Sequence, residues 1–319
     1  MINKENRMEL AKKTHNMGET LTPENATYKQ WIFRYTFLEL EKDLGEKGDI
    51  TSTAVVPVEM RYPYQIIAKS DGILAGVQEI KYFLCDSDPN FRPRIGEIEI
   101  EFLKNDGDLV VAGEIIMTLN GNSQDILKVE RTILNLLQRM SGIATLARRF
   151  VDKAPDVLIV PTRKTLWGLL DKRACAIGGA GTHRLNLEDA ILIKDTHLNL
   201  PGITVESALN GAYAAAIKTR ARFIEIEVEN AEMGIKAAET IKKIGDKEIQ
   251  FVIMLDNMAP AKIAEFIEKY GNDGFLVEAS GGINLENVEE YAKTGVDIIS
   301  IGELTMGAKP MDFSMKVKA

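Results

Sequence analysis

The sequence predicts an α/β protein in two parts: a compact α+β module, then a parallel α/β barrel incomplete at six to seven strands. Three observations carry this expectation. First, from Val157 onward the apolar runs "VLIV", "AILIKD", "FIEIEVEN", "FVIMLD", "FLVEAS" and "DIISIG" alternate with stretches of helical periodicity such as "AEMGIKAAETIKKI". Six strand–helix units in a row specify a parallel sheet covered on both faces. Second, the signals between Tyr64 and Gly121 are β-like and punctuated by Asp71-Gly72, Asp106-Gly107 and Asn120-Gly121 turns. Third, no G-x-G-x-x-G follows the first barrel strand, because Gly168 and Gly178-Gly179-Ala180-Gly181 do not fit it. That favours a barrel over a doubly wound sheet.

Taken in order, residues 1–27 read as a polar, flexible extension without periodicity, and "YKQWIFRYTFLELEKDLG" follows at helical spacing until "GDITSTAVVP" breaks the pattern. Residues 28–130 form the α+β module, with "VQEIKYFL" as a helix between its strands. The run "DILKVERTILNLLQRMSGIATLARRFVDKA" is a long helical bridge into the barrel, assigned to residues 131–319 with a C-terminal tail. No apolar run approaches the ~18 residues of a membrane span, and the opening residues lack the apolar core of a signal peptide. Cys85 and Cys175 lie far apart, so reduced thiols and a cytoplasmic setting are expected. With only His15, His183 and His197, a multi-histidine metal site is not expected. Carboxylates would hold any metal, which suits magnesium.

The net charge of −8 argues against a general nucleic-acid binder. Its distribution is uneven. From Arg131 to Lys194 there are eleven Lys and Arg against five Asp and Glu, a balance of +6 that leaves about −14 elsewhere. A basic segment in an acidic chain implies a focused anion site. The strand ends agree: Arg163-Lys164, Lys194-Asp195, Glu229-Asn230, Asp256-Asn257, Ser280-Gly281-Gly282 and Gly302. In a parallel barrel these ends ring one mouth, where catalytic groups gather. Ser280-Gly281-Gly282 before "LENVEEYAK" reads as a phosphate cradle facing a helix N-terminus, with Gly302 beside it. The three glutamates of "IEIEVE" share one face. Glu229 is expected at the mouth, with Glu225 and Glu227 paired to barrel lysines. Arg163, Arg184, Lys164 and Lys194 supply fixed cations, arginine suiting carboxylates and lysine suiting phosphates.

The motifs "GDITSTAVVP", "ERTILNLLQRMSGIATLARRFVD", "TRKT", "THRLNLEDAILIKDTHL", "IEIEVEN", "IMLDNMAP" and "VEASGGINLENVEEYAKTGVDIISIGELTMGAKPMDFSMK" resemble those of quinolinate phosphoribosyltransferases. The resemblance runs in order from about residue 45 to the C-terminus. It implies an N-terminal α/β sandwich domain, an incomplete barrel, and a homodimer with shared active sites, or a hexamer. By motif position it implies that Arg131 reaches quinolinate in a partner's site. Thr162, Arg163, Lys164, His183, Arg184 and Lys194 would line the quinolinate and phosphoribosyl pyrophosphate pockets. Glu229 and Asp256 would hold ribose hydroxyls and Mg2+, and Ser280, Gly281, Gly282 and Gly302 the phosphate end. Lys164, Lys194, Glu229 and Asp256 are the expected catalytic groups. Pro161 and Trp167 depart from the family pattern, and the link from "TRKT" to "HR" is shorter, which bears on the quinolinate pocket.

Three rival readings are weaker. A lysine Schiff-base aldolase would leave the arginines unused. The molybdenum-transport-associated paralogue is disfavoured by the intact "LIKDTH". A non-catalytic phosphometabolite sensor would not need both Glu229 and Asp256.

Overall fold

A computed structural model describes residues 4–86, 95–245, 248–271 and 273–318. Residues 1–3 of the polar extension and 87–94 of the N-terminal module lie outside them. Contacts divide the chain into two units.

The first unit comprises residues 4–18, 149–164 and 179–307. Its sheet contains β6 (Leu158–Pro161), β7 (Ile191–Ile193), β8 (Phe223–Val228), β9 (Gln250–Asp256), β10 (Leu276–Ser280) and β11 (Ile298–Ile301). The order is β6-β11-β10-β9-β8-β7, every pair parallel. Arranged as a ring, each strand neighbours the next in sequence, and β11 closes on β6. Only the β6–β7 pairing is missing, so this is a barrel open at one seam. All six expected strands form; β6, β8 and β11 are buried throughout, whereas β7 at the open seam is only partly buried. Amphipathic helices Val205–Thr219, Ala231–Ile244 and Pro260–Tyr270 separate the later strands. Asn230 is committed to capping, its side chain accepting from Met233 N–H at 3.0 Å.

The expected flexible extension is instead largely helical: α1 spans Lys4–His15. Ala11 packs with Leu158, Phe223, Val252, Leu276 and Ile298, flanked by Met8 and Leu10. Because these core residues begin their strands, α1 covers the amino end of the sheet. Arg7 forks onto Asp297 at 2.6 and 2.7 Å. The segment lacks periodicity because few apolar residues carry the packing and its charges find fixed partners.

The second unit comprises residues 19–148, 165–178 and 308–318. The strands β1 (Tyr64–Ala68), β3 (Ile98–Phe102), β5 (Ile115–Gly121) and β12 (Phe313–Val317) form an antiparallel sheet in the order β12-β1-β5-β3. β2 (Gly72–Ile73) and β4 (Leu109–Val110) make a two-stranded ribbon. The C-terminal tail assigned to the barrel therefore belongs to this sheet. "GDITSTAVVP" does not merely break a pattern, since Asp49 caps a helix Ile50–Val55 by accepting from Thr51 and Ser52 N–H. The helix expected over "VQEIKYFL" runs Val77–Lys81 and widens into a π-helical turn Tyr82–Asp86. Among the described residues, no helix is long and apolar enough to cross a membrane.

A buried polar pair marks this unit. Tyr28 Oη donates to Glu79 Oε1 at 2.6 Å, with both side chains fully buried. Burial, with Asp106 adding to it, raises the Glu79 carboxyl from 4.5 to about 7. Between those values the folded chain holds a proton that the unfolded chain releases. Stability should therefore be greatest below about pH 4.5 for this group and fall as pH rises through 7. Glu79→Gln keeps an acceptor and removes the titration. Between pH 5 and 8 the wild type should lose roughly 1–3 kcal/mol relative to this variant in urea melts. Parallel pH profiles would count against Glu79.

Candidate active site

The register of the barrel strands brings their ends into one row. Ser280 lies opposite both Asp256 and Ser300, and Ile301 lies opposite Pro161. The residues that follow therefore converge at the carboxyl mouth. There a cavity of about 810 Å³ is lined by Thr162, Arg163, Lys164, His183, Arg184 and Lys194 on one side. Asp256, Ser280, Gly281, Gly282 and Gly302 complete it from the later strands. A second cavity, about 540 Å³, lies near Arg7, Lys153, Asp297 and Glu289. Two of its cations are paired, Arg7 with Asp297 and Lys153 with Glu289.

Local bonds fix the mouth. Thr305 Oγ1 donates to the Lys164 carbonyl at 2.6 Å, and Lys164 N–H donates to Thr162 Oγ1 at 3.2 Å. Lys194 Nζ donates to Glu227 Oε2 at 2.7 Å. Arg184 is buried, its Nη1 donating to the Ala190 carbonyl at 3.2 Å. Burial, and next the neighbouring Arg163, lower its pKa. A pocket that crowds cations in this way gains by admitting an anion. Asn257 N–H donates to the Ser280 carbonyl at 2.8 Å. Gly281 has φ +92°, and a Cβ there would collide with the Asn257 side chain. At Gly302 a Cβ would meet only Thr162 and Lys164 at 3.9 and 4.0 Å; the protein itself does not demand glycine, and the space serves the cavity.

Two expectations change. Glu229 is exposed beyond the end of β8 and does not line the cavity; Glu227 does. The two-residue period was right, but β8 stops at Val228. Glu229 still reaches Asp256 electrostatically: burial raises the Asp256 carboxyl, Asn257 and Lys194 oppose the rise, and Glu229 adds to it. Two carboxylates are the kind of oxygen donors a hard cation takes. Second, the glycine turn does not open onto a long helix. Only Val288–Ala292 is helical, and Asn287 Nδ2 donates back to the Gly282 carbonyl at 3.1 Å. Arg131, which the resemblance assigns to a partner's site, is exposed on the helix Ser123–Lys153 and is absent from the cavity lining of its own chain. Thr196, Ser300 and Glu303 also line the cavity and were missed. Ser300 was accessible from the alternation of "IISI", with its hydroxyl at a strand end.

Beneath the cavity lies a buried cluster. His15, His183, Glu225 and Glu278 place one ligand atom each within 4.8 Å of all the others. Glu225 thus faces His183 (3.3 Å) and Glu278 rather than a lysine. Burial first, and then Glu278, hold the Glu225 carboxyl well above its ordinary range. His183 Nδ1 accepts from Arg184 N–H at 2.7 Å, so Nε2 bears the hydrogen. A ring fixed this way turns no lone pair toward a metal.

A mouth of an incomplete α/β barrel that gathers Arg, Lys and a glycine turn around one cavity defines a class: enzymes acting on phosphorylated polyanions. The comparisons narrow it. The quinolinate phosphoribosyl transferase N-terminal domain matches residues 49–141, and the C-terminal domain residues 143–316. A probable nicotinate-nucleotide pyrophosphorylase (carboxylating) of Methanothermobacter thermautotrophicus is 38% identical over 88% of this chain and 96% of its own. A mitochondrial quinolinate phosphoribosyltransferase (decarboxylating) of Nicotiana tabacum is 36% identical over 88% and 80%. The crystal structure of NadC from Streptococcus pyogenes superposes with a TM-score of 0.78 at 29% identity, covering 92% of this chain and 96% of that one. The chain belongs to the quinolinate phosphoribosyltransferase family.

Proposed function

We propose that the protein transfers the phosphoribosyl group of phosphoribosyl pyrophosphate to quinolinate with decarboxylation. The products are nicotinate mononucleotide, pyrophosphate and carbon dioxide, in NAD biosynthesis. One observation carries the reading: two arginines and two lysines share a cavity with the glycine turn. Arg163 and Arg184 hold the quinolinate carboxylates, with His183 lining the pocket beside them. Ser280, Gly281, Gly282 and Gly302 take the 5′-phosphate, with Thr162 beside them, and Glu229 and Asp256 take the ribose hydroxyls.

The pyridine nitrogen attacks the anomeric carbon as the bond to pyrophosphate breaks. No protein nucleophile takes part; orientation and electrostatic stabilisation carry the step. Lys164 and Lys194 offset the charge growing on the departing pyrophosphate, and Glu227 holds Lys194 in place. The positively charged ring nitrogen then accepts the electrons released as carbon dioxide leaves position 2, and that carbon takes up a proton. Magnesium, held by Asp256 and Glu229, would supply further neutralisation of the pyrophosphate. A homodimer in which Arg131 serves the partner's site completes the reading. Cys85 and the buried Cys175 are not joined in a disulfide, which suits a reducing, cytoplasmic setting.

Incubation with quinolinate, phosphoribosyl pyrophosphate and magnesium should yield nicotinate mononucleotide and carbon dioxide, and chelator should abolish turnover. Asp256→Asn should raise the KM for phosphoribosyl pyrophosphate by roughly tenfold or more and leave that for quinolinate within about twofold. No nucleotide product would reject the function. Full activity in chelator would discard magnesium alone.

A further inference from the structure

The seam between β6 and β7 leaves the segment 180–184 without a strand to pair with. It is irregular, yet it carries His183 and Arg184 into the cavity. His183 moreover sits at φ +54°, a conformation a non-glycine residue keeps only where its surroundings over-determine it. Something must therefore hold this backbone in place of a strand ladder.

The end of α1 does so. The last carbonyls of a helix have no partner within it. That of His15 accepts from both Thr182 N–H and His183 N–H, each at 2.8 Å, while Gly181 N–H donates to Ile159 of β6 at 2.8 Å. Met17 N–H donates to Thr182 Oγ1 at 2.9 Å. The Thr14 carbonyl accepts from Arg222 Nη1 at 2.6 Å; Arg222 forks onto Asp189, both bonds 2.5 Å, and Asp189 accepts from Leu185 N–H at 2.8 Å. Both flanks of Arg184 are thus tied to the same helical turn.

The His15 side chain extends the hold inward. It is fully buried and stacks on Phe223 at 4.2 Å. The Thr14 hydroxyl sits 2.9 and 3.0 Å from the Leu10 and Ala11 carbonyls and shares a hydrogen bond of 2.8 Å with His15 Nδ1. That directs His15 Nε2 toward Glu278 Oε2, at 3.7 Å. The other Glu278 oxygen lies 3.6 Å from His183 Nε2. Glu225 and Glu278 bond to each other and no other donor reaches their oxygens at hydrogen-bond geometry, so the two imidazoles that flank the pair help set where it rests.

We propose that the C-terminal turn of α1 is part of the active-site scaffold, with Thr14 and His15 as positioning residues that hold His183 and Arg184 toward the cavity across the open seam. In the function proposed above, this turn aims the carboxylate-binding side of the site and leaves the phosphate side to β10 and β11.

The test uses the full chain. His15→Phe keeps the stack on Phe223 and loses the polar contact; His15→Gln restores a side-chain amide directed at Glu278. In the folded His15→Phe protein the KM for quinolinate should rise roughly tenfold to a hundredfold, that for phosphoribosyl pyrophosphate should stay within about twofold, and His15→Gln should recover most of the loss. Unchanged quinolinate KM, an equal rise for both substrates, or no recovery with Gln would overturn the proposal. Nitrogen-15 histidine spectra give a readout independent of activity, and with only three histidines they are assignable by substitution. In the wild type, His183 should show one fixed tautomer with its hydrogen on Nε2, and His15→Phe or His15→Gln should perturb it to different extents. A wild-type His183 that averages between tautomers sinks the inference even if neither variant folds. Absence of nucleotide product from the wild type, with His183 fixed as described, would instead reject the reaction and leave the scaffold standing.

Discussion

Offered quinolinate and nicotinate separately, the protein should show a kcat/KM for quinolinate roughly 10³-fold higher or more. Nicotinate lacks one carboxylate. In a pocket where Arg184 is buried and crowded by Arg163, a missing anion leaves a desolvated cation without its partner. That costs several kcal/mol in order of magnitude. Decarboxylation requires the 2-carboxylate as well, so nicotinate could at best be ribosylated without loss of carbon dioxide. Comparable efficiency with both acids would refute a two-carboxylate pocket and implicate the shortened link between Thr165 and His183.

The second large effect concerns sharing of the site. Arg131 is exposed and does not line its own chain's cavity, whereas Lys164 does. A surface arginine without a role is worth about 0.5 kcal/mol or less on truncation. If Arg131 reaches a substrate carboxylate in a partner subunit, Arg131→Ala should lose roughly a hundredfold or more in turnover with its fold intact, as should Lys164→Ala. Mixing the two inactive proteins under subunit exchange should then restore activity, because a heterodimer contains one site with both native residues. Heterodimers confirmed by mass without recovery would confine Arg131 to its own chain or to no substrate.

The six barrel strands were legible because burial on both faces makes them continuous apolar runs, and the register placed Asp256, Ser280 and Ser300 where strand ends imply. Legibility failed where tertiary contacts override local pattern. The α1 segment "KENRMELAKKTH" has too few apolar residues to announce itself, and only its docking shows why it is helical. Glu225 and Glu227 alternate on β8 as the two-residue period implies, whereas Glu229 falls beyond its end, and three different fates followed: a buried imidazole, a lysine and solvent. Periodicity cannot see partners brought from α1 or from β10. The same blindness hid β12, whose "FSMKV" reads as a tail until β1 is alongside it.

That pairing imposes an order on synthesis. β1 bonds on one side to β5 and on the other to β12, which is made some 245 residues later. At ribosomal rates the gap is roughly 12–50 s. Throughout that interval one edge of β1 is an unpaired template for a foreign strand. Although it is encoded first, the N-terminal sheet is completed last, after every strand of the barrel has been made.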